Sequence, residues 1–308
     1  MPDEVYIIFI IILIALAIYV NGTKAYIIIV LFILAILANF ENKADYNKYF
    51  QITGGAEEEQ SNMYQGIDLS AYEDNKIIKL DDNSANSEII KSWFPQDAPN
   101  KNLFQVVKES IYSISRSDVS ERLSQEILNI MYDTKATATL EEYGRKLIIT
   151  DASANVGGNT LNFAKHFKHV NAVEINPVTC QALQNNIDVY KGFDKDYSIP
   201  SNVKVYCTSY IDIYNDLKQD IVFMDPPWGG IDYREQKNIM LKLGKLPVYA
   251  ILNNMRRPPA LAVIKCPRNF DFGRFKKYIK RHPRVWIVKY YGHNMIFVKY
   301  NLGFVKPR

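Results

Sequence analysis

The stretch that most constrains this chain is the apolar run Asp220-Ile221-Val222-Phe223-Met224, which leads straight into Asp225-Pro226-Pro227-Trp228-Gly229-Gly230. The run is short, β-branched and aromatic, the composition of a central strand buried on both faces of an open sheet. Two prolines end it and stiffen the turn, because each fixes φ and neither can donate to a ladder. The result is a rigid loop at the carboxyl end of a strand, where ligands bind in open α/β sheets. It presents a carboxylate and backbone carbonyls beside an aromatic plate. Those are the parts needed to stack a planar base and to grip an exocyclic amine. A plain strand-turn with a packing tryptophan does not need so particular a tetrad.

The segments before and after that loop supply the rest of such a sheet. Residues 146–151 read as a parallel strand ending in Asp151, followed by a turn through Val156-Gly157-Gly158-Asn159-Thr160 and an amphipathic helix to Phe167. Strand, glycine turn and helix open a nucleotide-binding α/β unit, although the dinucleotide fingerprint is absent. Residues 170–173 form a second strand ending in Glu174, placed to take ribose hydroxyls, and Asn176-Pro177 caps the next helix. Residues 203–207 and 261–266 add strands, and residues 284–290 and 294–300 form a hairpin around Tyr291-Gly292-His293. Helical spacing predicts helices over residues 103–113 and 119–132, the second capped by Ser117 or Asp118, as a small helical extension over residues 91–145. The expected fold is α/β, a seven-stranded Rossmann-like class I methyltransferase sheet over residues 146–308, behind that extension. No internal repeat is visible.

Charge and hydropathy divide the chain. Its 308 residues allow one domain of about 200 residues plus appendages. The net charge of +4 combines a net of −7 over residues 41–100 with +16 over residues 234–308. So one-sided a C-terminal part suits either a polyanionic partner, most simply nucleic acid, or a basic solvated face. Within it, residues 274–281 alternate cations and aromatics, as an RNA track or an ordinary amphipathic helix does. Arg256-Arg257-Pro258-Pro259 offers cations for a phosphate group. The four histidines show neither triad nor ligand spacing.

Residues 5–20 and 25–38 are apolar and uncharged, separated by Asn21-Gly22-Thr23-Lys24. Each is shorter than the roughly 20 residues of a full span, so residues 1–40 read as a helical hairpin or one tilted span anchoring the chain in a membrane. Turn chemistry at Asn21-Gly22 and the charge of Lys24 favour the hairpin. Acidic Asp3 and Glu4 argue against a cleaved signal peptide. Residues 41–90 read as a polar, acidic, partly disordered tether. Cys180, Cys207 and Cys266 are odd in number, far apart and without metal-ligand spacing, which suits reduced thiols and a cytosolic catalytic part.

The stretches Asp151 with Val156-Gly157-Gly158-Asn159-Thr160, Glu174 with Pro177, and Pro226-Pro227-Trp228-Gly229-Gly230-Ile231-Asp232-Tyr233 resemble the trimethylguanosine synthases, or RNA cap guanine-N2 methyltransferases. Pro267-Arg268-Asn269 sits where a similar tripeptide follows that family's fifth strand, and the likeness covers roughly residues 118–304. It implies methyl transfer from S-adenosylmethionine to the exocyclic N2 of a 7-methylguanosine cap on RNA, without a metal. By that similarity Asp151, Gly157, Gly158, Asn159, Glu174 and Ser209 line the cofactor. Trp228, Gly229, Tyr233 and Asn269 line the substrate, and Arg256, from its cationic stretch rather than from the likeness, is expected at the cap phosphates. Asp225, Pro226 and Trp228 carry the catalysis.

Three residues depart from the family pattern. Asn155 replaces the first glycine of the turn, and asparagine tolerates left-handed backbone better than most residues. Ser209 stands where an acid near the adenine amine is usual, with Asp212 in reach to compensate. Asp225 stands where many cap enzymes have serine. The last point keeps open an N6-adenine methyltransferase of DNA or RNA. The first two keep open a membrane-tethered RNA-binding module without cofactor.

Overall fold

The computed structural model describes residues 70, 72–81, 84–98, 100–111, 113–132, 137–191, 202–229, 231–290 and 293–300. The polypeptide divides into two units, Met1–Thr53 and Gly54–Arg308. The first, with the membrane anchor expected at residues 1–40, lies outside the described residues. Among the described residues, no helix is long and apolar enough to cross a membrane.

Among the described residues the first elements are β1 (Ile77–Lys79), α1 (Ala85–Trp93), a 3-10 turn (Lys101–Leu103), β2 (Gln105–Val107), α2 (Lys108–Ile111), α3 (Ser117–Tyr132) and α4 (Thr137–Gly144). The α/β part follows as β3 (Ile148–Asp151), α5 (Gly158–His166), β4 (His169–Glu174), α6 (Pro177–Lys191), β5 (Val203–Cys207), α7 (Tyr210–Ile213) and β6 (Ile221–Met224). After a 3-10 turn (Ile231–Arg234) come β7 (Lys242–Leu243), β8 (Leu246–Pro247), α8 (Val248–Asn254), β9 (Leu261–Cys266), α9 (Phe272–Tyr278), β10 (Arg284–Tyr290) and β11 (His293–Lys299).

Seven strands form one mixed sheet in the order β10-β11-β9-β6-β3-β4-β5. The pairs from β9 to β5 are parallel, and the hairpin β10-β11 closes the edge antiparallel to β9. The chain winds outward from β3 through β4 to β5, then returns to lay β6 on the other side of β3. The order therefore reverses between β3 and β6, and the carboxyl ends of those two strands flank the crevice such sheets use for ligands.

The apolar run singled out in the sequence behaves as a doubly covered strand should. All four residues of β6 are buried. Val222 and Met224 join the core cluster that includes Leu252 of α8 and Phe275 of α9. Phe223 points the other way and meets Phe163 of α5 edge-on, 5.5 Å between ring centroids.

Four expectations need correction. First, residues 103–113 are not one helix. Gln105–Val107 is β2, antiparallel to β1, and its backbone is gripped by Asn186, which accepts from the Gln105 N–H at 2.7 Å and donates to the Gln105 carbonyl at 2.8 Å. A partner 81 positions away outweighs the local helical spacing. Second, the acidic stretch before residue 90 is folded at its end. β1 lies inside it, Leu80 and Ile90 are fully buried, and the Ser84 hydroxyl accepts from the Ser87 N–H to start α1. Third, Ser117 is the first residue of α3 rather than its cap, and its hydroxyl donates to Asn162 Oδ1 at 3.2 Å.

Fourth, two of the three cysteines are joined. Cys180 of α6 and Cys207 of β5 form a disulfide with Cα atoms 5.6 Å apart, and Cys266 is free and buried. A helix that crosses back over its sheet brings together residues 27 apart in sequence. No spacing rule announces such a pair.

Candidate active site

The turn after β3 is built around two acids. Asp151 is fully buried. Its Oδ2 accepts from the Thr160 hydroxyl at 2.7 Å, while its Oδ1 is buried without a partner. Burial pushes its carboxyl up to about 7, opposed by the Thr160 hydroxyl and a backbone N–H and reinforced by the nearby Asp225 and Glu174 carboxylates. Glu174, at the end of β4, accepts the Asn155 N–H on Oε2 and the Asn176 N–H on Oε1, each at 2.9 Å. Burial raises its carboxyl too, and those backbone donors pull it back. Asn176 Oδ1 in turn accepts from the Val178 and Thr179 N–H groups, which caps α6.

Between the acids the backbone turns left-handed twice, at Asn155 (φ +50°) and Gly157 (φ +103°). Asn155 therefore adopts the geometry its missing glycine would supply. Its amide also donates to the Ser113 hydroxyl at 2.9 Å and the Ser110 carbonyl at 3.2 Å. Gly158 serves a different neighbour from the one the sequence suggests, since a Cβ there would lie 2.9 Å from the Ser115 carbonyl oxygen. Its bare backbone makes room for the 113–117 segment. Asn159 is committed the same way, donating to Ser115 Oγ at 3.1 Å and accepting from the Ser120 hydroxyl at 2.7 Å. Ser209 occupies the cap position of α7 beyond β5 without a side-chain capping bond. Ile175, directly after Glu174, is 64% exposed. The sequence reading missed this exposed apolar side chain, although an apolar residue after a strand-ending acid is a legible cue.

Across the switch point, the Asp225 N–H donates to the Ser153 hydroxyl at 2.9 Å, tying the loop after β6 to the turn after β3. Asp225 Oδ2 accepts from Lys265 Nζ at 2.7 Å, and each side chain of the pair is only 12% exposed. Burial raises the Asp225 carboxyl, and the Lys265 ammonium pulls it back down. Lys265 Nζ also donates to Ser115 Oγ at 3.4 Å and lies 5.8 Å from the Trp228 ring centroid. Sequence reading passed over Lys265; the cue was a lone charge inside the buried run of β9.

Pro226 is buried and Pro227 exposed. Tyr233 meets Trp228 edge-on at 5.2 Å, His293 lies 6.4 Å away, and the Trp228 Nε1 is buried without an acceptor. Gly229 is exposed at φ +107°, a conformation that few other residues hold cheaply. Asn269 donates to the carbonyls of Tyr233 and Gln236 at 2.7 Å each, so it braces this loop from the segment after β9. Arg256 is not brought here. It follows α8 in the connection leading to the start of β9, its N–H donates to Asn215 Oδ1, and among the described residues no contact joins it to the Trp228 loop.

Asp151, Glu174 and Asp225 thus stand at or just beyond the ends of three neighbouring strands, with one lysine among them. That donor set suits a small cationic ligand carrying ribose hydroxyls, and the orphan Asp151 Oδ1 fits an ammonium donor. Among the described residues no group of three or more His, Cys, Asp or Glu side chains could hold a metal ion.

Comparison with known proteins agrees. Residues 146–298 match the sequence model of the RNA cap guanine-N2 methyltransferases. An uncharacterised protein of Acanthamoeba polyphaga mimivirus is 40% identical over 143 residues, covering 45% of this chain and 53% of that protein. The trimethylguanosine synthase of Schizosaccharomyces pombe is 28% identical over 152 residues, covering 46% of this chain and 59% of that enzyme. The chain thus spans a little over half the length of these relatives. The 16S rRNA N2 methyltransferase of T. thermophilus, solved with AdoMet and guanosine, superposes with a TM-score of 0.41 at 15% identity, over 59% of this chain and 43% of that one. At that score the likeness is loose, and the fold assignment rests on the strand order. The sheet order, the acid-bracketed turn with its S-adenosylmethionine-type donor set and the match over residues 146–298 agree, and through this domain the chain belongs to the RNA cap guanine-N2 methyltransferase family.

Proposed function

We propose that this domain transfers a methyl group from S-adenosylmethionine to the exocyclic N2 of a 7-methylguanosine RNA cap. The observation that supports it most is the pairing of Trp228, half-buried and braced edge-on by Tyr233, with Asp225 directly after β6 at the start of the same loop. A 7-methylguanine base is cationic, so a tryptophan face gains stacking and cation–π attraction together. Stacking of this kind contributes about 1–3 kcal/mol per base.

On this reading Glu174 takes the ribose, Ile175 the adenine face and Asp151 the ammonium of S-adenosylmethionine, which supplies an electrophilic methyl on a sulfonium. Asp225 and the Pro226 carbonyl hold the acceptor amine by its hydrogens and so aim its lone pair. Methylation of that amine would leave a surplus proton on its nitrogen, which Asp225 would take. A guanine amine is a weak nucleophile, so most of the acceleration comes from in-line positioning in a site shielded from water. On α9, Phe275 is buried while Arg274, Lys276 and Lys277 are exposed, which leaves those cations available to an RNA backbone.

The N6-adenine reading keeps one supporting observation, the carboxylate of Asp225 where many cap enzymes carry serine. A methyl-transfer assay on the full chain separates the two. Labelled S-adenosylmethionine is offered with 7-methylguanosine cap analogue, unmethylated cap analogue and an adenine-containing oligonucleotide, beside a Trp228→Ala control. Label on the 7-methylguanosine cap alone, lost in the control, is the expected result. Label on the oligonucleotide sinks the cap reading. Cap binding without any transfer means a binding module.

Membrane attachment through residues 1–40, with the domain on the cytosolic side, is a separate proposal resting on the two apolar runs and the basic C-terminal part. The Cys180–Cys207 bond removes two of the three free thiols from its support. Alkaline extraction of membranes tests the attachment, and release of the chain into the supernatant refutes it.

A further inference from the structure

Lysine is the one charged residue of β9, in a strand whose other five members are fully or nearly fully buried. An ammonium so placed is retained only where a partner offsets its desolvation. The register of the sheet supplies one. Met224 pairs with Ile264 across the parallel strands β6 and β9, so the next residues, Asp225 just past β6 and Lys265 still within β9, lie side by side at the ligand-binding end of the sheet. The ammonium takes Oδ2 at 2.7 Å, and among the described residues Oδ1 has no hydrogen-bond partner. A second contact, to Ser115 Oγ at 3.4 Å, links the pair to the serine that Asn159 of the cofactor turn also holds. Lys265 thus sits where the cofactor turn, the 113–117 segment and the acceptor loop meet.

We propose that Lys265 is a positioning residue of the acceptor site: by taking one oxygen of Asp225 it keeps the carboxylate ionised and leaves the other oxygen for the acceptor N–H and its departing proton. The inference rests on the methyltransferase reading above. The reason is electrostatic. Asp225 is buried beside a second carboxyl, Asp151 of β3, with Glu174 of β4 beyond it. The other titratable neighbour on β9 is the Cys266 thiol, which burial and Asp225 both push up, so it stays neutral. His293 of β11 lies against Trp228 rather than against the carboxylate. Ser153 and Ser115 are neutral hydroxyls. Among the described residues, Lys265 is therefore the cation paired with Asp225 that opposes its protonation. An opposite charge at this distance holds a carboxyl down by about one to three pH units.

The test uses the full chain, with Lys265→Met, Lys265→Arg, Asp225→Asn and the double variant Asp225→Asn/Lys265→Met. Two quantities are read: kcat/KM for cap methylation against pH, and the pH titration of the Asp225 side-chain carboxyl by 13C NMR, assigned by its loss in Asp225→Asn. In Lys265→Met the acid limb and the carboxyl midpoint both move up by about one unit or more, which lowers kcat/KM roughly tenfold at a pH on that limb. Lys265→Arg stays near the unmodified protein, and the double variant loses no more activity than Asp225→Asn alone. A purely structural lysine gives a different pattern: activity falls equally at every pH, the carboxyl midpoint stays put, and the two substitutions add. That pattern overturns the proposal. If the unmodified chain methylates no cap, the cap reading fails separately. The NMR midpoint then decides alone, since an unmoved midpoint in Lys265→Met overturns the inference and a raised one upholds it for whichever amine is the acceptor.

Discussion

The two halves of the site are finished to different degrees. On the cofactor side many polar groups satisfy one another, although Asp151 Oδ1 and Asn155 Oδ1 stay buried without a partner. Both Glu174 oxygens accept backbone N–H groups, Asn155 is tied to Ser110 and Ser113, and Asn159 to Ser115 and Ser120. On the acceptor side the protein holds Asp225 by Oδ2 through Lys265, and Trp228 Nε1 is buried without an acceptor. A buried polar group left unmade is costly, so its partner is sought in the ligand. The cofactor turn reads as a preorganised frame, and the acceptor loop as a surface completed by what binds it.

The strongest way to break this contrast is Asp225→Asn. If the acceptor side works through that carboxylate, kcat for methyl transfer falls by roughly 10²–10⁴-fold, the range for a lost proton-transfer group. The fold weakens as well, because Lys265 is left as an unpaired buried cation. Adding Lys265→Met should restore the chemical-denaturation midpoint but not turnover. Recovery of both would mean that Asp225 serves only to neutralise Lys265.

The frame can be tested next through its disulfide. Cys180→Ser opens a link across 27 residues between α6 and β5, beside Glu174 and Ser209. Urea unfolding should show a loss of about 2–4 kcal/mol. A change within 0.5 kcal/mol, about the scatter of neutral surface substitutions, would show that the frame does not depend on the link.

A smaller effect sharpens the role of Asp151. Its carboxyl, raised to about 7, is largely protonated in the ligand-free protein at pH 6, and a bound ammonium favours the ionised form. Binding of S-adenosylmethionine should therefore tighten by up to about tenfold from pH 6 to 8 and release a proton, visible as buffer-dependent heat in calorimetry. Stability of the ligand-free fold runs the other way. A folded carboxyl raised above its unfolded value contributes stability fully present below about pH 4 and lost as pH rises through 7. Buffer-independent heat at pH 6 would remove Asp151 from ammonium binding.

The smallest expected effect is Asn155→Ala. Alanine holds φ +50° less well and drops two hydrogen bonds to the 110–113 segment, at a cost of about 1–2 kcal/mol in thermal unfolding. Asn155→Gly restores the turn but not the tether. Equal stability of the alanine variant and the natural protein would mean that the tether contributes nothing.

Much of this architecture is legible in the residues themselves. Strand composition, glycine turns, the Asn176 cap and the proline-stopped loop each act over a few neighbouring positions. The parallel strands, α3 and the terminal hairpin therefore follow from local pattern, and so does the placement of Asp151, Glu174 and Asp225 at strand ends. Local pattern misled at residues 105–107, where apolar spacing suggested a helix and Asn186 with β1 imposed a strand. It was silent on Lys265, on the Cys180–Cys207 link, and on the contacts of Gly158 and Asn159 with Ser115. Each of those is a pairing between distant positions, enforced because a polar group taken into the interior needs a partner wherever the fold brings one. A sequence states which groups are present; which of them become neighbours is decided only when the sheet closes over them.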